Sequence, residues 1–296
     1  IIRGSSSPTS SSPLIVVDGI IGRSMAQLDP SEIESMTVLK DASAVAPYGA
    51  RGANGVILIT TKRGKSGKAQ VDYNFKVGFG TPTRMPEIAS SYDHARFMNE
   101  AWRNKEMDLG EDPGMYGIYN EEELQKFRDG SDPYGYPNTD WNKEVLLPRA
   151  WQQMHSLTAS GGSDKVKYFA GFGYVKQDAL YGDTRTNEST SGFNRYNARV
   201  NIDANIVDKY LNLSADMAYR QEDRNSIAGS TSDVFNNMHR NPQTDPGRFP
   251  DGNLGKVSLG VNPIGLATEG GWVKDRKSVL NTRFMLDFNV PGLEGL

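Results

Sequence analysis

The chain has 296 residues, a net charge of -3 and no cysteine, with 31 glycines and a mean hydropathy of -0.57. This excludes disulfides and thiolate metal sites, gives no electrostatic case for nucleic acid, and leaves no run near the ~20 apolar residues of a membrane helix. A membrane β-barrel stays open, because only its alternate residues face lipid. The three histidines, His94, His155 and His239, are too far apart for a local metal motif. Residue 1 is Ile with no signal sequence before it, so the expectation is a processed start or the edge of a longer chain.

Residues 1–65 read as a compact unit of mixed α/β character. Ser5 to Ser12 is a serine-rich loop. Leu14-Ile15-Val16-Val17 is a short strand ended by the turn Asp18-Gly19. Asp29-Pro30-Ser31-Glu32 has the order of a helix start: a capping acid, proline at the first position, an acid in the first turn. Thr37-Val38-Leu39 is extended, and Asp41 opens a second short helix that Pro47 and Gly49 stop. Gly55 to Lys62 is a buried strand.

From residue 69 the period changes to two. Ala69, Val71, Tyr73, Phe75, Val77 and Phe79 share one face, and the opposite face is polar or glycine. The same split recurs over 166–175, 193–206, 209–221 and 278–290, and more weakly over 151–161. The connections between these six strands run long (81–150), tight (161–164), medium (179–192), tight (207–208) and long (223–276). Outer-membrane barrels have this rhythm, with short periplasmic turns and longer extracellular loops. A soluble β-sandwich also alternates, but the loop asymmetry and the Asn-, Arg- and Asp-rich faces favour a barrel with a wet lumen. Six strands do not close around a folded plug, which takes roughly 22. The predicted fold is therefore part of a transmembrane antiparallel β-barrel (66–296) with a small mixed α/β plug (1–65), ending in a turn at 291–296 toward a further strand.

Three runs in the first unit resemble the plug of SusC/RagA-family TonB-dependent transporters. They are Pro13 to Gly19 (PLIVVDG), Leu28 to Ala44 (LDPSEIESMTVLKDASA) and Tyr48 to Lys62 (YGARGANGVILITTK). Ile2-Arg3-Gly4 is similar to an earlier arginine-glycine step of the family. Tyr134 to Trp141 (YGYPNTDW), Gly161-Gly162-Ser163 and Tyr168 resemble its early barrel. The family's N-terminal extension, TonB-contacting box and most of its barrel have no counterpart in these residues. The resemblance implies active import of oligosaccharides or peptides across the outer membrane of a Gram-negative bacterium, without enzymatic chemistry or a cofactor. The implied partners are a SusD-like surface lipoprotein as a lid and TonB of the inner-membrane energising complex. A siderophore or cobalamin receptor without a lid, and a soluble β-rich binding module, are the alternatives.

Gly49 to Gly55 (GARGANG) lacks the lysine and hydroxyl spacing of a phosphate loop and reads as turn chemistry. Tyr48, Arg51 and Asn54 in this loop are candidate substrate contacts, since an aromatic ring and planar hydrogen-bonding groups suit a sugar. The bland alternative is that Arg51 pairs with a wall acid and Tyr48 packs. Asp18 reads as a turn acceptor, Glu121, Glu122 and Glu123 as the solvated first turn of a loop helix, and Asp132, Asp140 and Trp141 as loop packing.

Overall fold

The computed structural model describes residues 12–22, 25, 28–110, 117–208 and 210–289. The Ile2-Arg3-Gly4 step, the serine loop up to residue 11, Val290 and the turn at 291–296 lie outside the described residues.

Strands between residues 14 and 61 build a four-stranded sheet of order β2-β1-β4-β3, from β1 (Leu14–Val17), β2 (Ile20–Ile21), β3 (Ile33–Leu39) and β4 (Val56–Thr61). β1 and β4 are parallel, with Leu14 opposite Val56, and the other neighbours are antiparallel. Both central strands are near-continuous apolar runs because both faces are covered. Val16, Val45 and Val56 pack on one side, and Val17, Leu28 and Ile59 on the other. Asp29 caps a 3-10 turn, Pro30–Glu32, by accepting from the Ser31 N–H at 2.9 Å. The second helical segment continues past Pro47 as α1 (Ala42–Val45) and a 3-10 stretch, Ala46–Gly52. It bends at Gly49, whose φ of 55° and ψ of -145° suit a residue without a β-carbon.

The second sheet is antiparallel throughout. Its members are β5 (Gly67–Gly80), β6 (Ala150–Gly162), β7 (Val166–Asp178), β10 (Gly192–Val207), β11 (Leu211–Ile227) and β12 (Trp272–Phe288). A two-residue hairpin, β8 (Gly182–Asp183) with β9 (Glu188–Ser189), interrupts the order between β7 and β10. Each long strand pairs with the next in the chain, the order being β12-β11-β10-β7-β6-β5. The weakly alternating segment near 151–161 is a full strand, since β6 is hydrogen-bonded on both sides.

The two faces of this sheet decide between sandwich and barrel. A sandwich buries the apolar face and leaves the polar one in water. Here the polar face receives the small sheet, and the apolar face lies open, with Phe284 72 % and Val71 66 % exposed. On β11 the open face reads Leu211, Leu213, Ala215, Met217 and Tyr219, then turns polar at Gln221 and Asp223. β12 matches it with Phe288, Leu286, Phe284, Thr282 and Leu280, then Ser278 and Arg276. No Asp, Glu, Lys or Arg lies on the outer face within this apolar band on any of the six strands.

The upper border of the band is oblique. Leu280 connects through the ladder by way of Tyr219, Ala198, Phe172 and Leu157 to Tyr73, yet on β5 apolar residues continue to Phe79. Between these ends the border steps unevenly, since Tyr196, Tyr174 and His155 share one ladder row. His155, Tyr174 and Tyr196 mark the border as a row of rings, with Tyr174 and Tyr196 stacked at 5.0 Å.

Above the border the long connections fold together. α2 (Ser91–Asp108), α3 (Glu121–Asp129) and α4 (Trp141–Val145) come from the first connection, α5 (Thr231–Arg240) and α6 (Pro263–Thr268) from the last. A core of Trp141, Val145, Tyr181, Val234, Met238 and Ile264 joins α4, α5 and α6 with the β8–β9 segment, while α2 and α3 pack on a separate cluster of Ala95, Leu124 and Phe127. Glu123 closes a capping box with Asn120, as the triple-glutamate pattern suggests for the start of a helix.

Candidate functional site

The chemistry concentrates where the small sheet meets the polar face of the large one. Asp18 ends β1 with φ at 50°. Its carboxylate accepts from the Thr61 N–H at 2.9 Å and the Thr61 hydroxyl at 2.8 Å, tying the ends of β1 and β4 together. The acceptor role read from the sequence is present, but its donor is 43 residues away rather than in the turn. Glu32 ends the 3-10 turn and is buried.

On the facing wall, β10 presents Arg195, Asn197, Arg199, Asn201 and Asp203. Arg199 Nε donates to Glu32 Oε2 at 2.7 Å, both side chains being buried, and Nη1 lies 3.8 Å from Asp18. Burial lifts the Glu32 carboxyl above the ordinary carboxylate range, against the pull of Arg199. Nearby, Arg283 donates to the Asp18 carbonyl at 2.7 Å and to Asp216 at 2.7 Å. Arg63, in the segment joining the two sheets, donates to Asp203 at 2.8 Å and Asp216 at 3.1 Å. Burial opposes the Arg63 charge, but these two carboxylates outweigh it and raise its pKa. Asn201 donates to the Lys62 carbonyl, and the Ser156 hydroxyl to that of Ser31.

Two glycines make the close approach feasible. A β-carbon at Gly173 would stand 2.7 Å from Asp29 Oδ2, and one at Gly64 only 2.2 Å from the Tyr168 backbone nitrogen. The contact is therefore tightly fitted and rich in polar and charged pairs, with Phe169 as a buried apolar member of the wall face. Such an interface holds a position but does not resist sliding apart as a greasy core does.

The three loop residues singled out by sequence lie within the 3-10 stretch or just after it. Tyr48 is half-buried against the Val16, Val45 and Val56 cluster. Arg51 is exposed and forms no ion pair with the described acids. The Asn54 amide reaches the Ser12 carbonyl at 3.5 Å. Of the loop residues, Trp141 is fully buried and donates to the Pro242 carbonyl at 3.2 Å, while Asp140 caps α4. Sequence reasoning passed over Glu32, Arg63, Arg199 and Arg283 as functional residues. Their one signal was an unusually charged strand face, which also suits a wet lumen.

A small α/β unit seated by its charges on the inner face of an outwardly apolar antiparallel sheet defines a plug-and-barrel receptor. Residues 1–56 match the family model described as TonB-dependent Receptor Plug Domain. Over 225 residues the chain is 31 % identical to TonB-dependent receptor SusC of Bacteroides thetaiotaomicron, covering 72 % of this chain and 19 % of that protein. TonB-dependent receptor P3 of Formosa agariphila is 33 % identical over 288 residues, covering 94 % of this chain and 25 % of that one. The chain thus spans about a fifth to a quarter of the length of these relatives. The solved RagAB peptide transporter shares the fold, with a TM-score of 0.62 and 24 % identity over 83 % of this chain and 28 % of that one. This chain belongs to the SusC/RagA family of TonB-dependent transporters.

Proposed function

We propose that these residues form plug and wall of an importer that carries oligosaccharides or peptides across the outer membrane of a Gram-negative bacterium. The observation that carries the reading is the reversal of the sheet: the polar face is docked and the uncharged apolar face is open. In water that arrangement leaves a large apolar surface exposed. In a bilayer it is the stable one. The family likeness supports a SusD-like lipoprotein as lid and TonB as the source of pulling force. The likeness to a structure described as a peptide importer keeps peptides beside oligosaccharides as cargo.

The work of the wall is to hold the plug by contacts that a pull breaks one after another. Arg199, Arg63 and Arg283 each join plug or linker to wall by hydrogen-bonded charges rather than by a continuous apolar seal. Tyr48, Arg51 and Asn54 remain the proposed substrate contacts on the plug. Arg51→Ala should lower uptake several-fold without unfolding the plug, since the side chain is exposed.

The test is a deletion strain of the source bacterium grown on a panel of glycans and peptides. Loss of growth on one class, with recovery on re-expression, supports the reading. Unchanged growth on every member, or release of the protein by water alone, would overturn it. A lipoprotein that co-purifies in detergent separates the lidded importer from a siderophore or cobalamin receptor.

A further inference from the structure

The outer face carries a feature that plug docking does not use. Directly above the tyrosine row, the first outward residue on β7 is Lys176, and its ladder partner on β6 is Gln153. Together with Val77, Trp151, Gln152 and Asp178 they line a groove of about 330 Å³. The groove straddles β6, whose neighbours are both in place, so its floor is complete.

We infer that this groove is a docking site for the anionic phosphate headgroup of a membrane lipid, with Lys176 and Gln153 holding the phosphate and the flanking Trp151 and Val77 side chains packing against its apolar part. The inference rests on reading the apolar band as lipid-facing. Among the described residues Lys176 pairs only with Asp178, at 3.8 Å, beyond hydrogen-bond range, so the ammonium donors are not committed to it. Beside the groove, Arg149 lies over the Phe79 ring at 4.8 Å, and that ring packs on Trp151. Farther along the same level, on β12, Lys274 lies over Trp272 at 4.5 Å and Arg276 is bound to Asp223.

Rings with cations immediately above an apolar band are headgroup-level chemistry. A lipid whose chains lie along Leu157 and Tyr174 brings its headgroup to Lys176 without leaving the surface. A free phosphate would use the lysine but not the apolar floor, which is why the site fits a lipid better.

The experiment is native mass spectrometry of the full-length receptor in mild detergent. It is titrated with dioleoyl phosphatidic acid or with dioleoylglycerol, which has the same chains and no phosphate. The wild type should retain the phosphatidic acid about fivefold better, the worth of one lysine beside an anionic headgroup. Lys176→Gln should abolish that preference, and Trp151→Ala should weaken both lipids. Equal retention of the two lipids by the wild type, or an unchanged preference in Lys176→Gln, would overturn the site. Displacement by millimolar inorganic phosphate would overturn the lipid as its occupant. A receptor found in the water-soluble fraction would instead defeat the membrane reading itself, and is told apart before any lipid is added.

Discussion

Arg199 joins more of the plug than any other described wall residue, reaching Glu32 and Asp18 from one guanidinium. Removing one partner of a buried pair leaves the other charge without compensation and costs ~3–5 kcal/mol, whereas replacing both with apolar groups is often nearly neutral. Arg199→Ala should therefore loosen the plug, read as faster protease cleavage within 14–61, and an added Glu32→Met should restore much of the protection. The raised Glu32 pKa gives a pH dependence of defined sign. The docked state holds the proton more tightly than the released one, so this contribution is full below the ordinary carboxylate range and fades as pH rises through the raised value. Plug protection should fall with rising pH in the wild type and lose that step in Glu32→Gln. At Gly173 the constraint is space: a β-carbon would meet the Asp29 cap at 2.7 Å. Gly173→Ala should cost about 1–3 kcal/mol of docking, measured by urea titration of plug protection. These residues were not legible as partners in the sequence. A charged strand face tells which way the side chains point, but which of them meet the plug is decided by how two sheets, far apart in the chain, are seated.

Strands were legible where one face meets an apolar surround, and only there. On β11 the alternation ends at Tyr219, but the strand continues to Ile227, because above the band both faces are polar and the period disappears. The sequence-read loop over 223–276 consequently includes the ends of two strands. In the first connection, Glu121 to Glu123 signalled α3, whereas the longer α2 went unread although Ser90 and Asp93 form its cap. Its exposed face carries Phe97, Met98 and Met107 among charges, so no clean apolar stripe marks it. The cap of loops owes its cohesion to Trp141, which no local pattern places beside Val234 and Met238 of a distant segment. Trp141→Ala should cost about 3–5 kcal/mol within the cap. Hydrogen exchange should show α4, α5 and α6 opening together while β5 to β7 stay protected.

At the scale of the whole molecule, the account stands on the apolar band being lipid-facing and the opposite face being plug-facing. These 296 residues contain no cysteine, so each cysteine introduced on β11 is the single thiol within them. The decisive measurement is a cysteine scan along β11 from 211 to 225 in the full-length receptor in lipid vesicles. Each site carries a fluorophore, and quenching is compared between a lipid-dissolved and a water-soluble quencher. Labels at 211, 213, 215, 217 and 219 should be quenched from the lipid, those at 221 and 223 from water, and those at 214 and 216 by neither while the plug is docked. Lipid quenching that ignores this alternation, or that continues unchanged past 219, would contradict the account.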